Sequence, residues 1–173
     1  MIQTERMGIL RAAEADIDVI IALESHPDNR DYLWIGTRQE HLNEIADPNH
    51  LLLVFKTLGG GEIIGYALAR LDFASERFEL RRIAIGPKGL GYGREAMQAL
   101  LAHAFGPLRM NKLWLDVYPH NTVGIHLYES LGMHRDGVLR ENYKSATHGY
   151  LDQIIYSMLR REYFRSPTAD SPI

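Results

Sequence analysis

The sequence predicts a mixed α/β fold of the α+β kind: a central, mostly antiparallel sheet of about seven strands with one parallel junction, flanked by about four helices. Three observations lead there. Three β-rich runs, residues 51–57 (LLLVFKT), 62–72 (EIIGYALARLD) and 78–85 (FELRRIAI), follow one another with no helix between them, which makes a meander. A glycine-rich passage after the third run opens directly into a helical sequence. The next β-run, 111–118 (NKLWLDVY), is reached through that helix and therefore runs parallel to the strand before it.

Taken in order, residues 7–12 read as a short strand handing over to a helix that ends near Glu24, with Ile17, Ile20, Ile21 and Leu23 facing inward. His26-Pro27-Asp28-Asn29 breaks it, and residues 30–36 form a loop carrying Tyr32 and Trp34. Thr37 caps a second helix with Glu40 as its capping-box partner, and Asp47-Pro48 ends it. Leu58-Gly59-Gly60-Gly61 turns the first two strands of the meander into a hairpin. The helix over 94–105 presents Ala96, Leu100, Leu101 and Ala104 to the core and stops at Gly106-Pro107. A further helix spans about 122–131, with Val123, Leu127 and Leu131 as its core-facing stripe and Gly132 as its stop. Two final strands, about 133–142 and 152–159, are joined by a polar loop with Tyr143, His148 and Gly149.

At 173 residues the chain fits one domain, over 1–164, followed by a flexible tail over 165–173 that is polar and holds two prolines. A net charge of −3 supplies no basic field for nucleic acid, so none is expected as a partner. Cysteine is absent, which excludes disulfides, thiolate metal sites and a cysteine nucleophile. Acidic residues Glu5, Glu14 and Asp16 near the start, with no apolar run of membrane length, point away from a signal peptide or a membrane and toward the cytoplasm. The eight histidines show no paired ligand spacing, so no metal is expected.

The glycine passage is Lys88-Gly89-Leu90-Gly91-Tyr92-Gly93-Arg94. Glycines at 89, 91 and 93 suit positive φ and leave backbone N–H groups uncovered at a helix N-terminus, where the helix dipole favours an anion. Lys88 and Arg94 add flanking positive charge, so the passage suits a phosphate or pyrophosphate. A P-loop would need Ser or Thr after a Gly-Lys pair, and Gly93 is followed by Arg94-Glu95. Gly91-Tyr92-Gly93-Arg94-Glu95-Ala96 does satisfy a dinucleotide fingerprint, with Asp116 about twenty residues on. That fingerprint belongs after the first strand of a repeated βαβ system, however, and here a meander precedes it, so Asp116 reads as an ordinary strand residue.

Together with its surroundings, the passage resembles motif A of the GNAT superfamily of acyl-CoA-dependent N-acyltransferases, with Lys88-Gly89-Leu90-Gly91-Tyr92-Gly93 in the place of Arg/Gln-x-x-Gly-x-Gly/Ala. Asn121, followed by a helix carrying Leu127-Tyr128-Glu129-Ser130-Leu131-Gly132-Met133, is similar to a second family motif. The closing part, with Gly137-Val138-Leu139-Arg140-Glu141 and Gly149-Tyr150-Leu151-Asp152, is similar to the Rim-type branch, which acetylates protein N-termini and related amines. The pattern departs from the family at Lys88, where Arg or Gln is usual, and at Gly124-Ile125, where alanine is common.

The resemblance implies acetyl-CoA as co-substrate and an amine acceptor, a protein N-terminus or a small molecule, attacking directly in a ternary complex. It implies a GNAT-like fold whose parallel junction is splayed, and by family habit it admits a homodimer. Ile83 and Ile85 would hold pantetheine by their backbone, Lys88, Gly89, Gly91, Tyr92, Gly93 and Arg94 the pyrophosphate, and Asn121 a further part of CoA. Tyr128 would return a proton to the departing thiolate, with Glu79 as the base. Tyr32, Trp34, Tyr143 and Tyr150 would wall the acceptor side, on loops over 25–36 and 142–151. The alternative readings are a CoA- or nucleotide-binding regulatory module without turnover, and a nucleotide-dependent oxidoreductase.

Overall fold

The computed structural model describes residues 1–145 and 147–165, so residues 166–173 of the expected tail lie outside the described residues. In chain order the elements are β1 (Ile2–Gln3), β2 (Met7–Arg11), α1 (Ile17–Ser25), α2 (Arg38–Ala46), β3 (His50–Thr57), β4 (Ile63–Asp72), β5 (Arg77–Ile85), α3 (Tyr92–Phe105), β6 (Lys112–Val117), α4 (Thr122–Ser130), β7 (His134–Ser145), β8 (Gly149–Leu159) and α5 (Arg160–Tyr163). The strands form one sheet in the order β1-β2-β3-β4-β5-β6-β8-β7. The sheet has eight strands rather than about seven, because the two-residue β1 pairs with β2 and is too short to show a sequence period. A single-turn α5 likewise raises the α-helices to five among the described residues. The final hairpin is longer than expected and takes Tyr143 into β7.

The sheet is buried on both sides, which is why β3 reads as an uninterrupted apolar run. Leu51, Leu53 and Phe55 pack with α3, while Leu52 and Val54 pack on the opposite side with Ile20 of α1. The capping box at the start of α2 forms as the sequence predicts: Thr37 N donates to Glu40 Oε2 at 2.7 Å and Glu40 N donates to Thr37 Oγ1 at 3.2 Å. One expectation fails on α4. Val123 is 80% exposed, and the helix meets the core through Ile125, Leu127, Tyr128 and Leu131, set by the i, i+3, i+4 spacing that follows its Asn121 cap.

Two features of the sheet place everything that follows. Among the described residues β5 and β6 are its only parallel neighbours, and their pairing covers Arg77–Leu80 against Lys112–Leu115 and no further. From Arg81 onward β5 remains bonded to β4, while Asp116 and Val117 of β6 remain bonded to β8, so the sheet opens into a notch. The second feature is a bulge. Leu68 faces Arg82 and Ala69 faces Leu80, leaving Arg81 as the extra residue. Straight alternation would put Glu79 on the side of Ile83 and Ile85, but the bulge reverses the parity. Phe78, Leu80, Ile83 and Ile85 therefore belong to the α3 side, and Glu79, Arg82 and Ala84 to the α1–α2 side.

Beneath α1 and α2 lies a buried set of charges. Glu24 and His41 are fully buried. Glu24 accepts from Tyr66 Oη (2.5 Å), Arg82 Nη1 (3.1 Å), the Gly36 amide (2.8 Å) and His41 Nε2 (3.2 Å). His41 Nδ1 meets Glu44 Oε2 at 2.8 Å, and Glu44 also receives Arg82 Nη2. Two carboxylates, one guanidinium and one imidazolium balance to zero charge, the condition under which such a set is tolerated in the interior. Gly36 is fixed by proximity, since a Cβ there would stand 2.7 Å from His41 Nε2. Burial pushes the His41 pKa down, but its bonds to Glu24 and Glu44 prevail and raise it from 6.5 to about 9.

His41 therefore binds its proton more tightly in the folded state, and its contribution to stability is complete below pH 6.5 and lost as the pH rises through about 9. We expect that loss to be about 3 kcal/mol. Urea unfolding of the wild type at pH 6 and pH 9.5 reads it, and His41→Gln should be less stable at pH 6 and flatten the dependence.

Candidate active site

The passage from β5 into α3 builds a cradle. Gly89 and Gly91 have φ of +73° and +82°, and Gly91 is the N-cap of α3. Gly93 does not share that conformation, against expectation; it lies inside the first helical turn, where a Cβ would come within 3.8 Å of Leu127 and 3.9 Å of Ile85. The first helical bond is donated by Glu95 N to Gly91 O at 3.2 Å, so the amides of Tyr92, Gly93 and Arg94 lack intrahelical partners. These donors, with open space above Gly89, fit an anionic pyrophosphate.

A carboxylate in the first turn, Glu95, would oppose that anion if it faced the cradle. It is drawn back instead: Thr4 Oγ1 donates to it at 2.5 Å, Arg6 N at 2.9 Å and Arg6 Nε at 2.7 Å. Burial works to raise the Glu95 pKa, and these bonds overcome it and keep the group ionised. Arg6 also donates to Leu90 O at 2.8 Å and lies 4.4 Å from the Tyr92 ring centre. The sequence gives no hint of Arg6, which sits more than 80 residues from its partners. The two flanking cations are engaged as well, Lys88 with Asn29 Oδ1 and Arg94 with Ser130 Oγ at 2.6 Å.

The notch between β5 and β6 is a cavity of about 60 Å³ lined by Leu80, Ile83, Leu115, Asp116, Asn121 and Tyr128, among others. Asn121 caps α4 by accepting from the Gly124 amide at 3.0 Å and still borders the notch, so one side chain serves the helix start while facing the gap. Tyr128 is buried at 6% exposure and donates none of the hydrogen bonds found among the described residues. Burial, and then the nearby charge of Asp116, raise its pKa to about 12. Its hydroxyl thus keeps its proton at any physiological pH.

On the α1–α2 side the notch meets a cleft of about 460 Å³. Glu79 and Asp116 stand in its wall with Tyr32, Trp34, Tyr118 and Tyr143. Tyr150 lies elsewhere, 62% exposed, with Lys144 5.7 Å from its ring centre; the register of the longer hairpin turns it away. Asp116 is the residue the sequence reading passes over as an ordinary strand position. It borders both the notch and the cleft. Burial raises its pKa, and the charge of Glu79 adds to that against a hydrogen bond from Gln153. A carboxylate raised in this way accepts a proton more readily than an exposed one.

These parts coincide with a known pattern: the model of the acetyltransferase (GNAT) family matches residues 14–133. The chain belongs to the GNAT family. Among its relatives is the uncharacterized N-acetyltransferase p20 of Bacillus licheniformis, 37% identical over 174 residues, covering 92% of this chain and 96% of that protein. The [ribosomal protein bS18]-alanine N-acetyltransferase of Escherichia coli K12 is 34% identical over 112 residues, 61% of this chain and 70% of that protein. A spermidine N-acetyltransferase SpeG chimera from Vibrio cholerae and hSSAT shares the fold with a TM-score of 0.82 at 21% identity, over 92% of this chain and 99% of that one. This GNAT chain is an acyl-CoA-dependent N-acetyltransferase.

Gly91→Ala tests the cradle of this GNAT enzyme. A left-handed alanine costs about 1–2 kcal/mol, and its Cβ would press on Arg6 Nη2 at 3.3 Å. We expect a lower melting temperature and weaker acetyl-CoA binding by calorimetry, with the α1–α2 side unperturbed.

Proposed function

We propose that this enzyme transfers the acetyl group of acetyl-CoA to a primary amine by direct attack in a ternary complex. The observation that carries the reading is the notch, which puts a raised carboxylate and a buried tyrosine at the two sides of one gap in the sheet. Bound acetyl-CoA supplies a thioester carbonyl and a thiolate leaving group. The amides of Tyr92, Gly93 and Arg94 hold its pyrophosphate, and the β5 edge from Arg81 to Ile85, unpaired toward β6, receives the pantetheine amides beside Ile83 and Ile85.

An amine reaches the cleft as an ammonium ion and cannot attack until one proton is removed. Asp116, supported by Glu79, takes that proton, so an N–H bond breaks as an O–H bond forms. The freed nitrogen attacks the carbonyl, the C–S bond breaks, and Tyr128 gives its hydroxyl proton to the sulfur; the second N–H proton, lost as the amide forms, passes through water to the Tyr128 oxygen and restores the hydroxyl. Asp116 is thus the principal base in this reading, with Glu79 keeping its pKa high through charge.

The acceptor is the amino end of a protein or a small amine. Relatives named for a ribosomal-protein alanine and, at the level of fold, for spermidine support this range, and the Rim-like closing hairpin supports the protein end of it. A mixed panel of N-terminal peptides and polyamines with acetyl-CoA, read by thiol release, identifies the acceptor.

Tyr128→Phe should lower kcat by roughly 100-fold while acetyl-CoA binding stays within about twofold; normal turnover would remove the tyrosine from the mechanism. Because the Asp116 pKa is raised, the acid limb of kcat/KM should lie above the ordinary carboxylate range, with activity lost as pH falls through it. Asp116→Asn should abolish that limb and most of the rate, whereas Glu79→Gln should shift the limb downward by removing the neighbouring charge.

A further inference from the structure

A chain of aromatic rings crosses the mouth of the acceptor cleft, and the reaction outlined above makes no use of its centre. Tyr143 of β7 stacks on Tyr118 with ring centres 5.3 Å apart, and Tyr118 stacks on His120 at 5.7 Å with only 10° between planes. His120 in turn contacts Tyr32 at 5.5 Å and stacks on His148 of the β7–β8 turn at 5.3 Å. Its Nε2 lies 3.1 Å from the carbonyl oxygen of Asp31. Carbonyl oxygen only accepts, so Nε2 carries the proton and donates.

Both arms joined by His120 need such support. The segment between α1 and α2 has no regular structure around Tyr32. The outer part of the β7–β8 hairpin overhangs the sheet, because β8 pairs with β6 only as far as Ile154, opposite Val117. Tyr32 and Tyr143 line the cleft, so the spacing of these two arms sets its width. We infer that His120 is a positioning residue that holds the two acceptor-side arms at a fixed distance, and thereby governs acceptor affinity. Histidine suits the place because a flat ring stacks on Tyr118 and His148 and meets the tilted Tyr32 ring while its N–H reaches the Asp31 carbonyl. Phenylalanine would keep the first interaction and lose the second. His120 also precedes Asn121, so the brace is anchored one residue from the wall of the notch.

The inference rests on the acetyltransfer reading for its kinetic arm and is independent of it for its structural arm. Removing the stacks in His120→Ala should raise the acceptor KM about tenfold, the order expected when aromatic contacts are lost. The KM for acetyl-CoA and kcat at saturating acceptor should stay within about twofold, and His120→Phe should recover most of the loss. Amide hydrogen exchange of His120→Ala, without any substrate, should quicken in residues 30–36 and in the β7–β8 hairpin while α3, β3 and β4 keep their wild-type protection. Unchanged exchange in the two arms overturns the inference, and so does faster exchange throughout the chain, which would make His120 a general stabiliser. An unchanged acceptor KM in an active variant overturns it as well. If wild-type enzyme acetylates no amine while the two arms loosen in the variant, the acetyltransfer reading fails and the brace stands.

Discussion

The site depends on the abrupt end of one hydrogen-bonded ladder. β5 and β6 share four residue pairs and then part, each kept in place by its other neighbour, β4 or β8. A gap of this kind would normally expose unpaired backbone groups at a cost. Here the exposed edge is the surface that a chain of amide groups can complete. Because the gap passes through a sheet covered on both sides, it also joins two separate environments: the helical side of α3 and α4, with its glycine cradle, and the acidic, aromatic side under α1 and α2. Asp116 and Tyr128 are thereby kept on different sides of the gap, each with its own perturbation of proton affinity.

The charges around the gap are arranged in layers. Closest to it are Asp116 and Tyr128, whose pKa values are both raised by burial. Farther out, Glu95 in the first turn of α3 is held by Thr4 and Arg6, so the turn between β1 and β2 shapes the glycine cradle without bordering the gap. Farther still, the neutral set of Glu24, His41, Glu44 and Arg82 ties α1, α2 and β5 together and bonds the Gly36 amide. That bond fixes the far end of the segment that carries Tyr32 and Trp34.

Much of this was legible in the chain. The meander, the helical crossover and the capping box at Thr37 are local or nearly local patterns, and each formed where its residues stand. The place of Tyr128 beside the notch is legible because a motif carries it. What escaped were properties that arise only when distant segments meet. Asp116 looks like any polar residue on a half-buried strand until the β5–β6 gap and Gln153 give it its surroundings. Glu79 could not be assigned a face because the Arg81 bulge is silent in sequence, as no glycine or proline marks it. Glu24 reads as the polar end of an amphipathic helix, and only α2, β4 and β5 together reveal it as the most enclosed carboxylate described. Val123 faces solvent against expectation because apolar character alone does not say how α4 is rotated about its axis.

The neutral set under α1 and α2 has a consequence for how sequences of this type can diverge. Each member satisfies at least one other, and no enclosed polar side-chain atom among the described residues is left without a partner. A single replacement leaves an unbalanced charge in the interior, which costs far more than the intact arrangement contributes. A joint replacement by apolar residues of similar volume carries no such penalty. Positions 24, 41, 44 and 82 should therefore be inherited as a block, kept entire in one lineage and replaced entire in another, with few surviving intermediates between them.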